Sequence, residues 1–236
     1  KSIEIVDILR ESRKPVFVLN DISKLIGKDT EQTKIVLHRL AKRKLIKRVE
    51  GGKYYLDAHP FAVASNIIFP SYISFLAALN YYDLTTQISK TIFVVTTKSK
   101  KKLALEDYTV EFIKINRKRF FGYKRERFRG KFLFIAELEK VILDSLYLPQ
   151  YCPVTETFEA VKSKTADLDK LISYALKMNS SVVIKRLGYM LDISGIDIYN
   201  RVKGRITKKF DLLNPQLPRN KNKNKKWKLI VNEVLE

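Results

Sequence analysis

The chain is poor in the residues that build the commonest metal-binding and reactive sites. Its 236 residues include one cysteine, two histidines and eight glycines. The lone Cys152 excludes an intramolecular disulfide, and with only His38 and His59 beside it a zinc site made of cysteine and histidine has too few ligands. We therefore expect neither a metal nor a cofactor, and a structural role for the Cys152 thiol.

The sequence also lacks the patterns of several enzyme and membrane classes. Its glycines form neither GxGxxG nor the P-loop pattern GxxxxGKS/T. Neither histidine suits a Ser–His–Asp arrangement, because His38 lies on a predicted helix and His59 follows a predicted hairpin. No apolar run is long enough to span a membrane, and the N-terminus has no signal-peptide pattern. These absences predict a cytoplasmic protein that is not an enzyme and has no membrane partner.

Acidic residues are few and basic residues are many. The chain has 46 Lys and Arg against 25 Asp and Glu, which gives a formal net charge of +21. Such a charge attracts polyanions, although it does not distinguish DNA from RNA or from an acidic protein. The hydrophobic fraction of 45% argues against global disorder, and the length suffices for two domains.

Two helices are predicted within residues 17–56. The first begins at Asn20, a plausible N-cap, and ends before Gly27. Asp29 then opens a second helix, and Gln32 follows three residues later, which is the spacing of a capping box. Apolar residues recur at helical spacing along the second helix and predict one buried face.

A β-hairpin is predicted directly after these helices. Residues 45–49 and 54–56 have the composition of strands, and residues 50–53 contain the two glycines of a turn. An earlier helix is predicted at residues 3–12. The order of helix, turn, helix and hairpin is typical of a winged helix-turn-helix that binds DNA. The alternative is a small helical core that packs on another structure.

Side chains off the apolar face of the second helix are the candidates for DNA contacts. Gln32 could read adenine, Lys34 could read guanine, and Glu31 could accept from cytosine. The basic residues that follow suit phosphate contacts, and Lys53 at the predicted hairpin tip could reach the next groove or its backbone. For each single charge the alternative is a solvated side chain. The candidates are Lys28, Thr30, Glu31, Gln32, Lys34, His38, Arg39, Lys42, Lys47, Arg48 and Lys53.

Strands and helices mix without a regular βαβ repeat in the second predicted domain. We place the boundary after residue 58, which gives domains at residues 1–58 and 59–236. Helices are expected at residues 71–82, 136–147 and 182–191, and over 157–178 with a break near 164–167. Strands are expected at residues 91–97, 108–116, 131–135 and 226–231. This pattern predicts an α+β fold. On the helix expected at residues 136–147, the spacing of Glu137 and Lys140 predicts a surface pair.

Basic and aromatic residues interleave at residues 117–129, where they could bind nucleic acid through phosphate contacts and stacking. The alternative is a turn region with buried aromatics and solvated arginines. The candidates for this second surface are Arg117, Lys118, Arg119, Lys124 and Arg125. The segment KNKNKKWK at residues 221–228 is either a disordered loop or an extra nucleic-acid contact.

Several short motifs occur in an order that is similar to one family. They are PSYIS at 70–74, AAL at 77–79, FVVTT at 93–97, FGY at 121–123, AELEKVILD at 136–144 and KRLGY at 185–189. Together with the N-terminal helix-turn-helix, they make most of the chain resemble the AbiEi family of antitoxins and transcriptional regulators. These proteins belong to type IV toxin–antitoxin systems of abortive infection.

The resemblance implies a division of labour between the two domains. The N-terminal domain would bind double-stranded operator DNA and repress the protein's own operon. The C-terminal domain would counter a nucleotidyltransferase-like toxin, without requiring a stable complex, and assist DNA binding. Operators of such modules are often inverted repeats, which leaves monomer and dimer both open. Two alternatives also stay open: a nuclease-like nucleic-acid-processing enzyme docked by the winged helix, and a stand-alone transcription regulator without a toxin.

Overall fold

A computed structural model describes residues 2–235 and has the predicted α+β class. The α-helices are α1 (Ser2–Glu11), α2 (Leu19–Ile26), α3 (Thr30–Lys42), α4 (Pro60–Ala64), α5 (Phe75–Tyr81), α6 (Leu138–Tyr147), α7 (Val154–Lys162), α8 (Leu168–Met178), α9 (Ser181–Ile193) and α10 (Tyr199–Val202). Short 3₁₀ helices lie at Arg117–Arg119, Pro149–Tyr151 and Lys203–Arg205.

The strands within residues 2–235 form three sheets. They are β1 (Phe17–Val18), β2 (Lys47–Glu50), β3 (Lys53–Tyr55), β4 (Ser71–Ile73), β5 (Thr91–Thr96), β6 (Leu103–Leu105), β7 (Tyr108–Lys114), β8 (Tyr123–Phe128), β9 (Lys131–Ala136), β10 (Asp211–Leu212), β11 (Lys223–Asn224) and β12 (Leu229–Ile230). Their orders are β1-β3-β2, β6-β7-β5-β4-β9-β8 and β10-β12-β11.

The turn between α2 and α3 has the predicted glycine and N-cap, but among the described residues the capping box is half formed, because the Gln32 side chain does not bond back to Asp29. Gly27 has a φ of 63° and ends α2 in the left-handed conformation that glycine favours. The Asp29 carboxylate accepts a hydrogen bond from the Gln32 amide at 2.8 Å and so caps α3.

The prediction that Asn20 caps α2 is wrong. The helix begins one residue earlier, at Leu19, and its N-cap is Val18, whose side chain makes no capping bond. The chain passes directly from β1 into the helix, and the Leu19 amide donates a hydrogen bond to the Gly52 carbonyl of the hairpin turn at 3.0 Å. This contact with the hairpin satisfies one of the first amides of the helix, which have no acceptor within the helix itself.

The predicted hairpin is present as β2 and β3, with Lys47 opposite Tyr55 and Glu50 opposite Lys53. The register shifts between Arg48 and Glu50, which places an irregularity beside the turn. The turn itself consists of the two glycines, and Gly52 has a φ of 71°.

The large sheet of the second part is mixed, since β4 pairs antiparallel with β5 and parallel with β9. The single helix expected at residues 71–82 is wrong, because β4 occupies its first residues and α5 begins at Phe75. All of Ser71–Ile73 is buried, so the strand lacks the alternation by which a sequence distinguishes strand from helix. The edge strand β8 was also not predicted.

The helix α6 lies at the centre of the helical layer, where it contacts α5, α7, α8 and α9. Every residue from Leu138 to Leu146 is buried. The expected Glu137–Lys140 surface pair is therefore wrong. The fully buried Lys140 ammonium pairs with Asp144 one turn later, whereas Glu137 accepts a hydrogen bond from Tyr174 at 2.6 Å.

The C-terminal segments follow the predicted order with shorter elements. The break near residues 164–167 is confirmed, since α7 ends at Lys162 and α8 begins at Leu168. Residues 221–228 are not a disordered loop: β11 pairs with β12, and Trp227 between them is fully buried against Gly188.

Two separate clusters of buried apolar side chains divide the chain. The smaller cluster joins α1, α2, α3 and the start of the hairpin, and it ends at Leu56. The larger cluster consists of buried apolar side chains from Phe61 to Leu229, and it also includes Tyr55 from β3. The hairpin therefore contributes to both cores. Within residues 2–235, no helix has the length and apolar character needed to cross a membrane.

Candidate nucleic-acid interface

The exposed side of α3 is set by its buried residues Thr33, Leu37 and Leu40, which face the smaller core. Val36 and Ala41 are partly buried against the same core, and the other positions of the helix and of the turn before it are exposed. Eight of the predicted DNA-contacting residues are exposed there: Lys28, Thr30, Glu31, Gln32, Lys34, His38, Arg39 and Lys42.

The start of α3 presents Gln32 with a free side chain. Its backbone amide is taken by Asp29, but its side-chain amide makes no hydrogen bond with any described residue. The Asp29 carbonyl also accepts from the Thr33 hydroxyl at 2.7 Å, which fixes the first turn of the helix. A rigid helix start with an uncommitted amide is the arrangement that bidentate reading of adenine requires.

Lys34 and Glu31 neutralise each other in the unbound protein. The Lys34 ammonium lies 2.6 Å from the Glu31 carboxylate, and the side chains are 54% and 79% exposed. An exposed pair of this kind contributes only about 0–1 kcal/mol, so little energy opposes its separation when a base is read. Both residues stay predicted base contacts.

Positive charge without compensation lies just before α3 and along its end. Five basic side chains make no ion pair or hydrogen bond with any residue that the structure describes: Lys28, Arg39, Lys42, Arg43 and Lys44. Because such cations displace counterions from a polyanion, this face is suited to phosphate contacts.

The hairpin differs from the expectation that its basic residues are free. The Lys53 ammonium is bound by the Glu50 carboxylate at 2.8 Å and by the Ile67 carbonyl, so it faces the second part of the chain and not the hairpin tip. Lys47 is exposed but pairs with Glu106. Arg48 donates to the Glu50 carbonyl at 3.3 Å and is otherwise exposed. Of the three, Arg48 retains the most freedom to contact a phosphate.

Glu50 and Glu106 are the acids that dock the hairpin. Glu50 binds Lys53 and, from the second part of the chain, Lys100 at 2.5 Å. Burial acts to raise the pKa of Glu50, but the two ammonium groups outweigh it and hold this pKa below its ordinary value. The Lys47 and Tyr55 hydrogen bonds likewise lower the pKa of Glu106. Both carboxylates therefore remain charged at neutral pH.

A third contact joins α1 to the large sheet. The ammonium of the buried Lys131, in β9, donates to the carbonyls of Arg10 at 2.9 Å and Ser12 at 2.6 Å. These carbonyls lie at the end of α1, where a helix has unsatisfied acceptors and a partial negative charge. The sequence pattern did not predict these contacts between the two parts of the chain, because their partners are far apart in sequence, as Lys47 and Glu106 are by 59 positions.

The second predicted surface is only partly available. Arg117 and Lys118 are exposed, but Arg119 donates to the Met178 carbonyl at 3.0 Å and the Tyr147 hydroxyl at 2.9 Å. Arg119 therefore has a structural role. On β8, Lys124 pairs with Glu126 at 2.5 Å, and Arg125 lies 4.3 Å from the centre of the Phe132 ring.

The aromatic residues of this segment are committed to internal packing. Phe120 and Tyr123 contact the buried Tyr72 ring at 5.0 and 5.1 Å, and Phe121 contacts Tyr174 at 5.2 Å. These rings do not form the exposed stacking platform that the interleaved pattern predicts. The charges along β8 have another physical role, because they discourage pairing of this edge strand with a second chain.

The described residues contain no group of three or more His, Cys, Asp or Glu side chains arranged to hold a metal ion. The free Cys152 is buried, and burial raises the pKa of its thiol to about 11. No protein-family model and no curated protein matches the chain.

Proposed function

We propose that this protein is a sequence-specific DNA-binding regulator that uses α3 as its recognition helix. The observation that carries the proposal is the exposed side of α3, where a free Gln32 amide lies between the uncompensated Lys28 before the helix and the uncompensated cations at its end. The N-terminal part of a recognition helix reads bases in the major groove, and the basic residues around it contact phosphates.

The position of the hairpin refines this proposal. Helices α2 and α3 followed by strands β2 and β3 have the element order of a winged helix-turn-helix, with the hairpin as the wing. Because Lys47 and Lys53 bind acids, most of the wing's positive charge is already balanced. The proposal therefore assigns affinity chiefly to α3 and to Arg48, and a supporting role to the wing.

The wider proposal is that the protein represses its own operon and acts as the antitoxin of a type IV system. It is supported by the resemblance of the motifs to the AbiEi family and by the basic face of α3. Its partners would be double-stranded operator DNA and, functionally, a nucleotidyltransferase-like toxin in the cytoplasm. Co-expression with a neighbouring toxin-like reading frame tests this part, since the protein should restore growth.

A specificity measurement tests the DNA-binding proposal. Replacing Gln32 by alanine should reduce the preference for the operator over a scrambled duplex by about 1–3 kcal/mol if the amide makes a bidentate base contact. The matched control is Lys114→Ala, which removes an exposed cation of the large sheet with no ion pair among the described residues. Fluorescence anisotropy gives both affinities.

Unchanged discrimination in the Gln32→Ala and Lys34→Ala variants would show that α3 does not read bases. Cleavage of either duplex on addition of Mg²⁺, and its loss on chelation, would instead favour the nuclease alternative.

A further inference from the structure

A cavity in the second part of the chain is walled by aromatic rings. Its volume is about 340 Å³, which falls in the range of about 300–1,000 Å³ for small-molecule sites. The His59 ring meets Phe61 and Phe128 edge to face, at 5.1 Å in each case. Tyr81 and Tyr108 complete the aromatic wall, at 5.5 Å from Phe128 and 6.4 Å from Phe61.

Polar groups without partners converge on the same cavity. Within the part of the chain that the structure describes, the Asn80 amide, the Asp83 carboxylate and the Tyr108 hydroxyl make no hydrogen bond or ion pair. The Arg129 guanidinium lies 5.4 Å from the centre of the Phe128 ring and makes no hydrogen bond or ion pair with any described residue. These groups give the cavity both donors and acceptors that the fold itself does not use.

His59 adds one more donor. Its Nδ1 accepts a hydrogen bond from the Phe61 amide at 3.2 Å, so the neutral ring carries its proton on Nε2. Burial, and then the positive charge of Arg129, lower the pKa of His59, which favours this neutral form.

The two charged residues are held at the cavity by uncommon backbone conformations. Asp83, just after α5, has a φ of 56°, and Arg129 has a φ of 48°. Arg129 and Gly130 form the two-residue turn between β8 and β9, and both have positive φ. Such a turn favours Asn, Asp or Gly at its first central position, so an arginine there is not explained by the turn. Residues kept in such conformations concentrate at functional sites.

We propose that this cavity binds a nucleotide, either a free mononucleotide or an unpaired nucleotide of a strand. The aromatic wall suits the face of a base, and the Asn80 and Asp83 side chains suit the donors and acceptors of a base edge or a sugar. Arg129 suits the phosphate, because a guanidinium binds phosphate oxygens in a bidentate manner. The proposal does not depend on DNA binding by α3.

Isothermal titration calorimetry of the full chain tests it with the 5′-monophosphates of adenosine, guanosine, cytidine and uridine, and with a short single-stranded oligonucleotide. Arg129→Gln should weaken binding roughly tenfold or more, because it removes a charged hydrogen bond. The matched control is Arg127→Gln, which removes an exposed arginine of β8 whose side chain makes no hydrogen bond, ion pair or ring contact among the described residues.

A second variant, Asp83→Asn, should fold like the wild type, because asparagine tolerates the positive φ at this position. The fluorescence emission of Trp227 checks that each variant is folded. Asp83→Asn should also weaken binding. Mononucleotide binding that Arg129→Gln weakens and Arg127→Gln does not would support a free ligand. The same pattern with the oligonucleotide alone would support a strand nucleotide. Absence of binding, or equal weakening by both arginine variants, would overturn the proposal.

Discussion

Replacing Lys140 by methionine should destabilise the protein strongly, although the substitution keeps most of the side-chain volume. The Lys140 ammonium is fully buried and pairs with Asp144, whose side chain is only 3% exposed. Asp144 also accepts hydrogen bonds from Tyr72 at 3.1 Å and Ser74 at 3.0 Å. Loss of the ammonium would leave a buried carboxylate with these two neutral donors.

The expected loss is about 3–5 kcal/mol, the cost of removing one partner of a buried ion pair. For a chain of this length that corresponds to roughly 2–4 °C in melting temperature for each kcal/mol. The exposed Lys162 is the matched control, because its ammonium lies 3.7 Å from Glu159 and both side chains are about half exposed. Lys162→Met should change the stability by less than about 1 kcal/mol.

Urea unfolding followed by circular dichroism measures these differences. The double variant Lys140→Met/Asp144→Asn removes both charges but keeps an acceptor for Tyr72 and Ser74. It should be more stable than Lys140→Met alone, because no uncompensated charge remains buried. A Lys140→Met variant as stable as the Lys162 control, or a double variant less stable than the single one, would refute this reasoning.

Three further predictions concern docking, packing and DNA contacts. Folding lowers the pKa values of Glu50 and Glu106 from 4.5. The two carboxylates therefore stabilise the folded protein above pH 4.5, and this stabilisation is lost as the pH falls through their folded pKa values. A Glu50→Gln/Glu106→Gln variant should therefore show a flatter dependence of the unfolding midpoint on acid pH. Gly188→Ala would place a Cβ 2.1 Å from the Trp227 ring, so it should lower the free energy of unfolding by roughly 1–3 kcal/mol or more, measured with a chemical denaturant. Gly204→Ala is the control, because a Cβ at Gly204 meets no atom within 4 Å and should not cause this loss. Arg39→Ala should reduce the slope of log DNA affinity against log salt concentration by about 0.9, because one phosphate contact is lost. Lys53→Ala should leave this slope unchanged, because Glu50 and the Ile67 carbonyl already bind the Lys53 ammonium.

Local signals predicted the end of α2, the start of α3 and the hairpin, but not the start of α2. Asp29 followed by Gln32 gives the start of α3, Gly27 gives the end of α2, and the two glycines give the hairpin turn. Each depends on residues that are close in sequence, so propensity and capping rules apply directly. The exposed residues of α3 follow from the same pattern.

The features that were missed depend on tertiary packing. The buried strand β4 has no polar face, and Lys140 is charged yet fully buried because Asp144 lies one turn away. The sequence predicts Lys53 to be a solvated side chain at the hairpin tip, but its ammonium donates to the Ile67 carbonyl in the second part of the chain. None of these environments is visible from neighbouring residues alone.

The most direct test of the central claim is an anisotropy titration of the wild-type protein against the duplex upstream of its own reading frame. A scrambled duplex of equal length and composition is titrated beside it at several salt concentrations. The account predicts tighter binding to the upstream duplex, with a preference that persists at physiological salt. Equal binding to both duplexes, falling steeply with salt, would mean that the net charge of +21 acts alone, and it would contradict sequence reading by α3.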